Sequence, residues 1–212
     1  GGDEYDFTGI DWVGRERAVS TSLSAASFRD ARAAPRSRAG NAFLGLGENA
    51  PIGASGFPGG VRGGTAVAGD DAGCYWPEEV WNNPISKSEL VTASQVLDPG
   101  GATLITDAAF TDTAIKSRDD LDNYRILHFA THGLVTAPAM GCPVRPALLT
   151  SFGGPQSDGL LSFSEIFDLR LDADLVVLSA CDTAGGASLE ATRDAGVVGG
   201  GGQALDGLVR AF

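Results

Sequence analysis

Two short stretches constrain this chain more than anything else in it. Arg125-Ile126-Leu127-His128-Phe129 and Leu175-Val176-Val177-Leu178-Ser179 are nearly continuous apolar runs. Each is followed at once by small and polar residues, Ala130-Thr131-His132-Gly133 in one case and Ala180-Cys181-Asp182-Thr183 in the other. A strand that is apolar at odd and even positions alike is buried on both faces, as in a parallel sheet sandwiched between helices. The expected fold class is therefore α/β, with a mostly parallel central sheet flanked by helices. In open sheets of this kind ligand sites lie at the carboxyl ends of the strands, which is where His132 and Cys181 both fall.

The rest of the chain supplies elements for such a sheet. Arg17 to Thr21 is short and β-leaning, Ser22 to Arg32 has helical spacing after a serine cap, and Asn41 to Gly47 is another apolar run. Glu89 to Leu97 reads as a helix, Thr103 to Ile105 as a small strand, and Thr111 to Leu121 as a helix capped by Thr111 or Asp112. Ser164 to Leu169 is a crossover helix, whereas Pro138 to Asp158 reads as loop. Between Gly40 and Gly73 eleven of 34 residues are glycine, with prolines at 51 and 58, which predicts a long mobile surface loop over about 40–73. Gly185 to Gly202, with seven glycines in 18 residues, predicts a second mobile loop before a helix over Gln203 to Phe212. One domain spanning 1–212 is expected, as part of a longer protein.

Charge and cysteine usage narrow the function. Fifteen Lys and Arg against 27 Asp and Glu leave a net charge of −12, which argues against binding nucleic acid phosphates or anionic lipid. No apolar run approaches the roughly 20 residues that cross a bilayer. The three cysteines, Cys74, Cys142 and Cys181, are an odd number at separations of 68 and 39 residues without a C-x-x-C, so neither a disulfide scaffold nor a zinc ribbon is expected. Free thiols point to a reducing, cytoplasmic compartment. His128 falls inside a strand and is expected to be packed, its ring nitrogens meeting a carbonyl or carboxylate. Asp119-Asp120 and Asp172/Asp174 read as solvated charges. Gly199 to Ala204 fits a dinucleotide pattern only formally, and there is neither a G-x-S-x-G elbow nor a G-x-x-x-x-G-K-[ST] loop; no cofactor is expected.

A cysteine attacks as its thiolate, yet a free thiol with a pKa of about 8.5 is mostly protonated at neutral pH. A neighbouring imidazole stabilises the thiolate and later protonates a leaving amine. Cys181 and His132 fit that need, because each follows a strand run and each stands beside a small residue, Ala180 and Gly133, that lets a peptide backbone come close. Their separation, 181 − 132 = 49 residues, matches caspases, whose histidine precedes the cysteine by roughly 50.

Ile126 to Gly133, taken with Leu175 to Thr183, resembles the CHAT domain, a bacterial caspase-like module often found behind tetratricopeptide repeats. Asp158-Gly159-Leu160-Leu161 ahead of the helix with Glu165, Phe43-Leu44-Gly45-Leu46-Gly47, and Ala18-Val19-Ser20 match it as well, so the resemblance spans most of the chain. It implies a caspase-like three-layer fold and a clan of cysteine peptidases that includes caspases, separase and gingipains. In that picture Cys181 is the nucleophile and His132 the general acid/base, the N–H groups of Gly133 and Cys181 form the oxyanion hole, and no third side chain is needed. Asp182 would raise the thiol pKa if it pointed inward, so it is expected to face a backbone donor or a substrate subsite for a basic residue. The module normally continues with strands that complete the sheet and the primary specificity pocket, which implies that the chain is incomplete at its C-terminal end. The resemblance further implies a regulated effector of bacterial signalling or defence, cleaving specific protein substrates under an upstream repeat or sensor region.

Two other classes compete. One is a caspase-like scaffold that kept the dyad but acts by binding. The other is a transferase or hydrolase using thioester chemistry on a small molecule.

Overall fold

The computed structural model describes residues 16–17, 25–53 and 74–180, with 136, 144 and 155 excepted. The chain divides into two units, residues 1–36 and 37–212. In the first, α1 (Ala25–Ala33) realises most of the helix expected from Ser22 to Arg32. The strand expected at Arg17 to Thr21 lies, apart from Arg17, outside the described residues.

The second unit is organised by β1 (Asn41–Asn49), β2 (Thr103–Asp107), β3 (Tyr124–Ala130) and β7 (Leu175–Ser179). They form one sheet in the order β2-β1-β3-β7, and every pairing in it is parallel. Alternation then divides the side chains between two faces. Leu44, Leu46, Leu127 and Phe129 enter the main core with Phe110, Ile115, Leu148, Leu161 and Ile166, where each fully buried large side chain contributes about 1.5–3 kcal/mol. The opposite face carries Phe43, Gly45, Gly47 and His128, and it packs against α2 (Ser88–Leu97).

The glycines of β1 explain how close α2 comes. A Cβ on Gly47 would stand 2.2 Å from the Ala130 carbonyl oxygen and 3.1 Å from Leu90, and one on Gly45 would stand 2.6 Å from Leu104. Leu90, fully buried, sits over them. The Gly40 to Gly73 loop is thus corrected at its start: residues 41–49 are an interior strand, because these glycines serve close packing instead of flexibility. Residues 54–73 lie outside the described part.

A second, antiparallel sheet joins β4 (Gly133–Leu134), β5 (Ala147–Leu149) and β6 (Leu160–Ser162) in that order. Leu134, Ala147, Leu149 and Leu160 gather around Trp81 to form a second core. Two expectations change here. The regular pattern does not stop at His132-Gly133, and the Pro138 to Asp158 loop contains β5, since three buried residues suffice for a strand when both neighbours pair with it.

The short helices behave as their caps dictate. The Thr111 hydroxyl accepts from the Ala114 N–H at 3.0 Å and starts α3 (Asp112–Lys116), which ends well before the expected Leu121. Ser162 and Glu165 form a capping box for α4 (Phe163–Phe167). At the amino end of the sheet Asp174 accepts from Arg125 at 2.8 Å and Asp172 accepts from the Arg38 N–H at 2.9 Å. These two aspartates are backbone and strand ties, not merely solvated charges.

Cys74 and Cys142 form a disulfide, their Cα atoms 5.6 Å apart across 68 residues of chain. The expectation of free thiols fails at this pair because spacing along a chain does not report spacing in space. The cysteine argument for a reducing compartment goes with it. Among the described residues no helix is long and apolar enough to cross a membrane.

Candidate active site

The residues beyond β3 are fixed by the small sheet. The Thr131 hydroxyl donates to the Leu149 carbonyl at 2.7 Å, and the Leu149 N–H donates to the His132 carbonyl at 2.9 Å. In a trans peptide the C=O and the following N–H point opposite ways, so the Gly133 N–H is aimed away from β5. The His132 side chain is buried, only 6% of the residue being exposed.

Its tautomer follows from its partner. Nε2 lies 2.5 Å from the carbonyl oxygen of Asn83. A carbonyl only accepts, so Nε2 carries a proton and, in the neutral ring, Nδ1 holds the free lone pair. Nδ1 is buried and has no hydrogen-bond partner among the described residues. The imidazole is therefore oriented by a backbone group, with its basic nitrogen on the other side.

Asn83 owes its place to Trp81, two residues earlier. Trp81 is fully buried, donates its indole N–H to the Thr150 carbonyl at 3.1 Å, and accepts from the Asn49 side-chain amide at 2.8 Å through its own carbonyl. Pro84 follows and disfavours helical backbone at Asn83.

At the carboxyl end of β7 a different group holds the chain. Ala130 pairs with Ser179 and His128 with Val177, which turns Ser179 and His128 toward α2. Glu89, in the first turn of α2, receives the Ser179 hydroxyl at 2.5 Å on Oε1, and His128 Nε2 lies 3.0 Å from the same oxygen. His128 is buried, with Phe43 edge-on at 6.1 Å between ring centroids. The structure thus bears out a packed His128 meeting a carboxylate.

The start of α2 is itself set from β1. Glu48 has a left-handed backbone, φ 48°, at the register shift that ends the strand, and its carboxylate accepts the Lys87 N–H at 2.7 Å. The Lys87 ammonium meets Asp107 at 2.8 Å, a contact that holds it above its ordinary pKa.

The two strand ends approach each other at Gly133 and Ala180. A Cβ on Gly133 would stand 3.2 Å from the Ala180 methyl, so a larger residue there would press on the residue that precedes Cys181. His132 and Gly133 are accordingly brought beside the chain leaving β7. Cys181 and Asp182 lie outside the described residues, as do the loop expected over 185–202 and the helix expected over Gln203 to Phe212.

One further carboxyl stands out just ahead of β6. Burial pushes Asp158 up to about 6, although the Leu160 N–H on its carboxylate opposes the shift; Asp112 and Glu165 add repulsion. Lys116 bridges those two at 3.1 and 2.5 Å. No three His, Cys, Asp or Glu side chains among the described residues converge as a metal site.

Sequence reasoning missed Asn83, Trp81 and Glu89. A backbone carbonyl carries no residue signature, and Pro84 after Asn83 is the sole hint of a fixed segment. Glu89 looks like an ordinary helix N-terminal acid.

A parallel sheet with a buried histidine just beyond one strand, set against the chain leaving the next, defines an α/β domain of caspase-like architecture. The family model for the CHAT domain matches residues 5–212, and the chain belongs to that family. Comparison with the curated proteins gives no match.

Proposed function

We propose that this domain is a cysteine endopeptidase in which His132 and Cys181 form the dyad. The observation that carries the reading is the orientation of His132. Its Nε2–H is committed to the Asn83 carbonyl, while Nδ1, the nitrogen able to take a proton, has no partner among the described residues. The contact of Gly133 with Ala180 sets the histidine loop one residue from the cysteine along the chain.

The chemistry then follows from groups of this chain. His132 Nδ1 takes the Cys181 thiol proton, and the thiolate attacks the scissile carbonyl. The oxygen of the tetrahedral intermediate is received by the N–H groups of Gly133 and Cys181, an arrangement in which each fixed donor is worth about 2.7–4 kcal/mol. As the C–N bond breaks, His132 passes its proton to the leaving amine, leaving a thioester on Cys181. Water attacks that thioester with His132 as base, releasing the acid and restoring the thiol. The Asn83 carbonyl stabilises the imidazolium that forms in each half-reaction.

The substrates in this reading are specific proteins, and the role of Asp182 is either to meet a backbone donor or to contribute to a subsite for a basic residue. A longer bacterial protein supplies the sensor or repeat region that controls the domain, in signalling or defence. The test is a comparison of native, His132→Ala and Cys181→Ala proteins in cleavage of candidate partner proteins. Removal of the acid/base should slow cleavage by about 100-fold to 10,000-fold. Cleavage that survives Cys181→Ala would sink the peptidase reading, and partner binding without cleavage in the native protein would leave the scaffold reading standing.

A further inference from the structure

One segment of the chain touches both strand ends. Between Trp81 and Leu90 it offers the Asn83 carbonyl to His132 beyond β3, and the Glu89 carboxylate to Ser179 at the end of β7. The segment is anchored at each end by a fully buried side chain, Trp81 in the second core and Leu90 over the glycines of β1. Between these anchors, Glu48 holds the Lys87 N–H. A brace fixed in this way sets a distance: the histidine side is gripped by one of its carbonyls and the β7 side by one of its carboxylates.

We infer that Glu89 is a positioning residue for the nucleophile, latching Ser179 so that the chain two residues further on presents Cys181 to His132. This rests on the proposed dyad and names a residue that acts on it through Ser179. The geometry of the cluster supports a latch over a chance contact. Glu89 Oε1 accepts from Ser179 at 2.5 Å and has His128 Nε2 at 3.0 Å, while Nε2 and the Ser179 hydroxyl are themselves 3.3 Å apart. One oxygen thus ties α2, β3 and β7 together, on the face of the sheet where the β1 glycines admit α2. Buried His128 adds a rigid wall to the latch, since its ring is wedged edge-on to Phe43.

Positioning and electrostatics have opposite signs here, which makes the inference testable. A carboxylate near a thiol disfavours the thiolate, so stripping Glu89 of its charge would by itself make Cys181 more reactive at neutral pH. Loss of the latch does the reverse, because a cysteine no longer held against His132 returns to the pKa of an ordinary thiol. With Cys74 and Cys142 in a disulfide, Cys181 is the remaining thiol.

The experiment is the rate of iodoacetamide alkylation of Cys181 from pH 5 to 10, read by mass spectrometry, with N-acetylcysteine as reference and thermal melts as a folding check. Glu89→Ala should slow alkylation at pH 7 by about tenfold, the loss expected from a rise of about one pKa unit, and leave the alkaline plateau unchanged. Glu89→Gln keeps an oxygen for the Ser179 hydroxyl and should recover most of the rate. Ser179→Ala removes a single hydroxyl, should follow Glu89→Ala, and decides the matter if Glu89→Ala does not fold. Glu89→Ala or Ser179→Ala profiles equal to the native one, or faster at pH 7, overturn the latch while the dyad stands. Native Cys181 no more reactive than N-acetylcysteine at pH 7 overturns the dyad, and the latch with it.

Discussion

The ends of β3 and β7 lie side by side and are built differently. From His128, near the end of β3, through Leu134 every residue is buried; the backbone there is tied to β5 through Thr131 and the His132 carbonyl, and the His132 ring is held by the Asn83 carbonyl. Along β7 the residues are only partly buried, and Leu175 is 51% exposed. Its end is tied to α2 by one carboxylate, itself about half exposed. His132 is therefore set by the core, while the chain that leads toward Cys181 is only partly buried as far as Ser179. Local opening therefore has less packing energy to overcome along β7 than at the end of β3.

The comparison can be broken at three further points. Trp81→Ala has the largest expected effect on stability: it empties the centre of the second core and frees the segment that carries Asn83. Urea unfolding should show a loss of about 3–5 kcal/mol. A loss under about 1 kcal/mol would mean that the β3 end is not anchored through Trp81. Gly133→Val comes next, since its Cβ would meet Ala180 at 3.2 Å and its branches would meet more. We expect about 1–3 kcal/mol of destabilisation and a slower Cys181 at pH 7, read by unfolding and alkylation on the same samples. Unchanged alkylation would show that the two strand ends do not share that contact.

Asp158→Asn is the mildest. The native carboxyl is raised to about 6 by burial, above its value in the unfolded chain. A group shifted this way stabilises the fold while protonated, and that contribution is lost as the pH rises through about 6. The asparagine variant, which keeps an oxygen for the Leu160 N–H, should thus be more stable than native by about 1 kcal/mol at pH 7, discounted for the partial exposure of the group, with the gap closing toward pH 4. A gap that is the same at both values would show that Asp158 is not the titrating group.

How much of this could be read beforehand depended on the kind of interaction. Continuous apolar runs at Ile126 to Phe129 and Leu175 to Leu178 announced parallel strands, because burial on both faces leaves no polar alternation. The Thr111 cap and the helix beginning beside Glu89 were legible for the same local reason. The strand role of Gly45 and Gly47 was only half legible, since a glycine that admits a helix and one that loosens a loop look alike in sequence. Strand β5 hid within a loop-like stretch, and the Cys74–Cys142 bond ran against the count and spacing of cysteines.

The sequence alone determined the class of fold, and it singled out two strand ends, with His132 and Cys181, as the pair to consider. Those depend on patterns of hydrophobicity and residue type within a few positions. Tertiary structure decided that a carbonyl at Asn83 orients the imidazole, that Glu89 meets Ser179 across 90 residues, and that Gly133 rests on Ala180. Such contacts join residues distant along the chain through groups as ordinary as a peptide oxygen, so only the packing of strands and helices brings them into being.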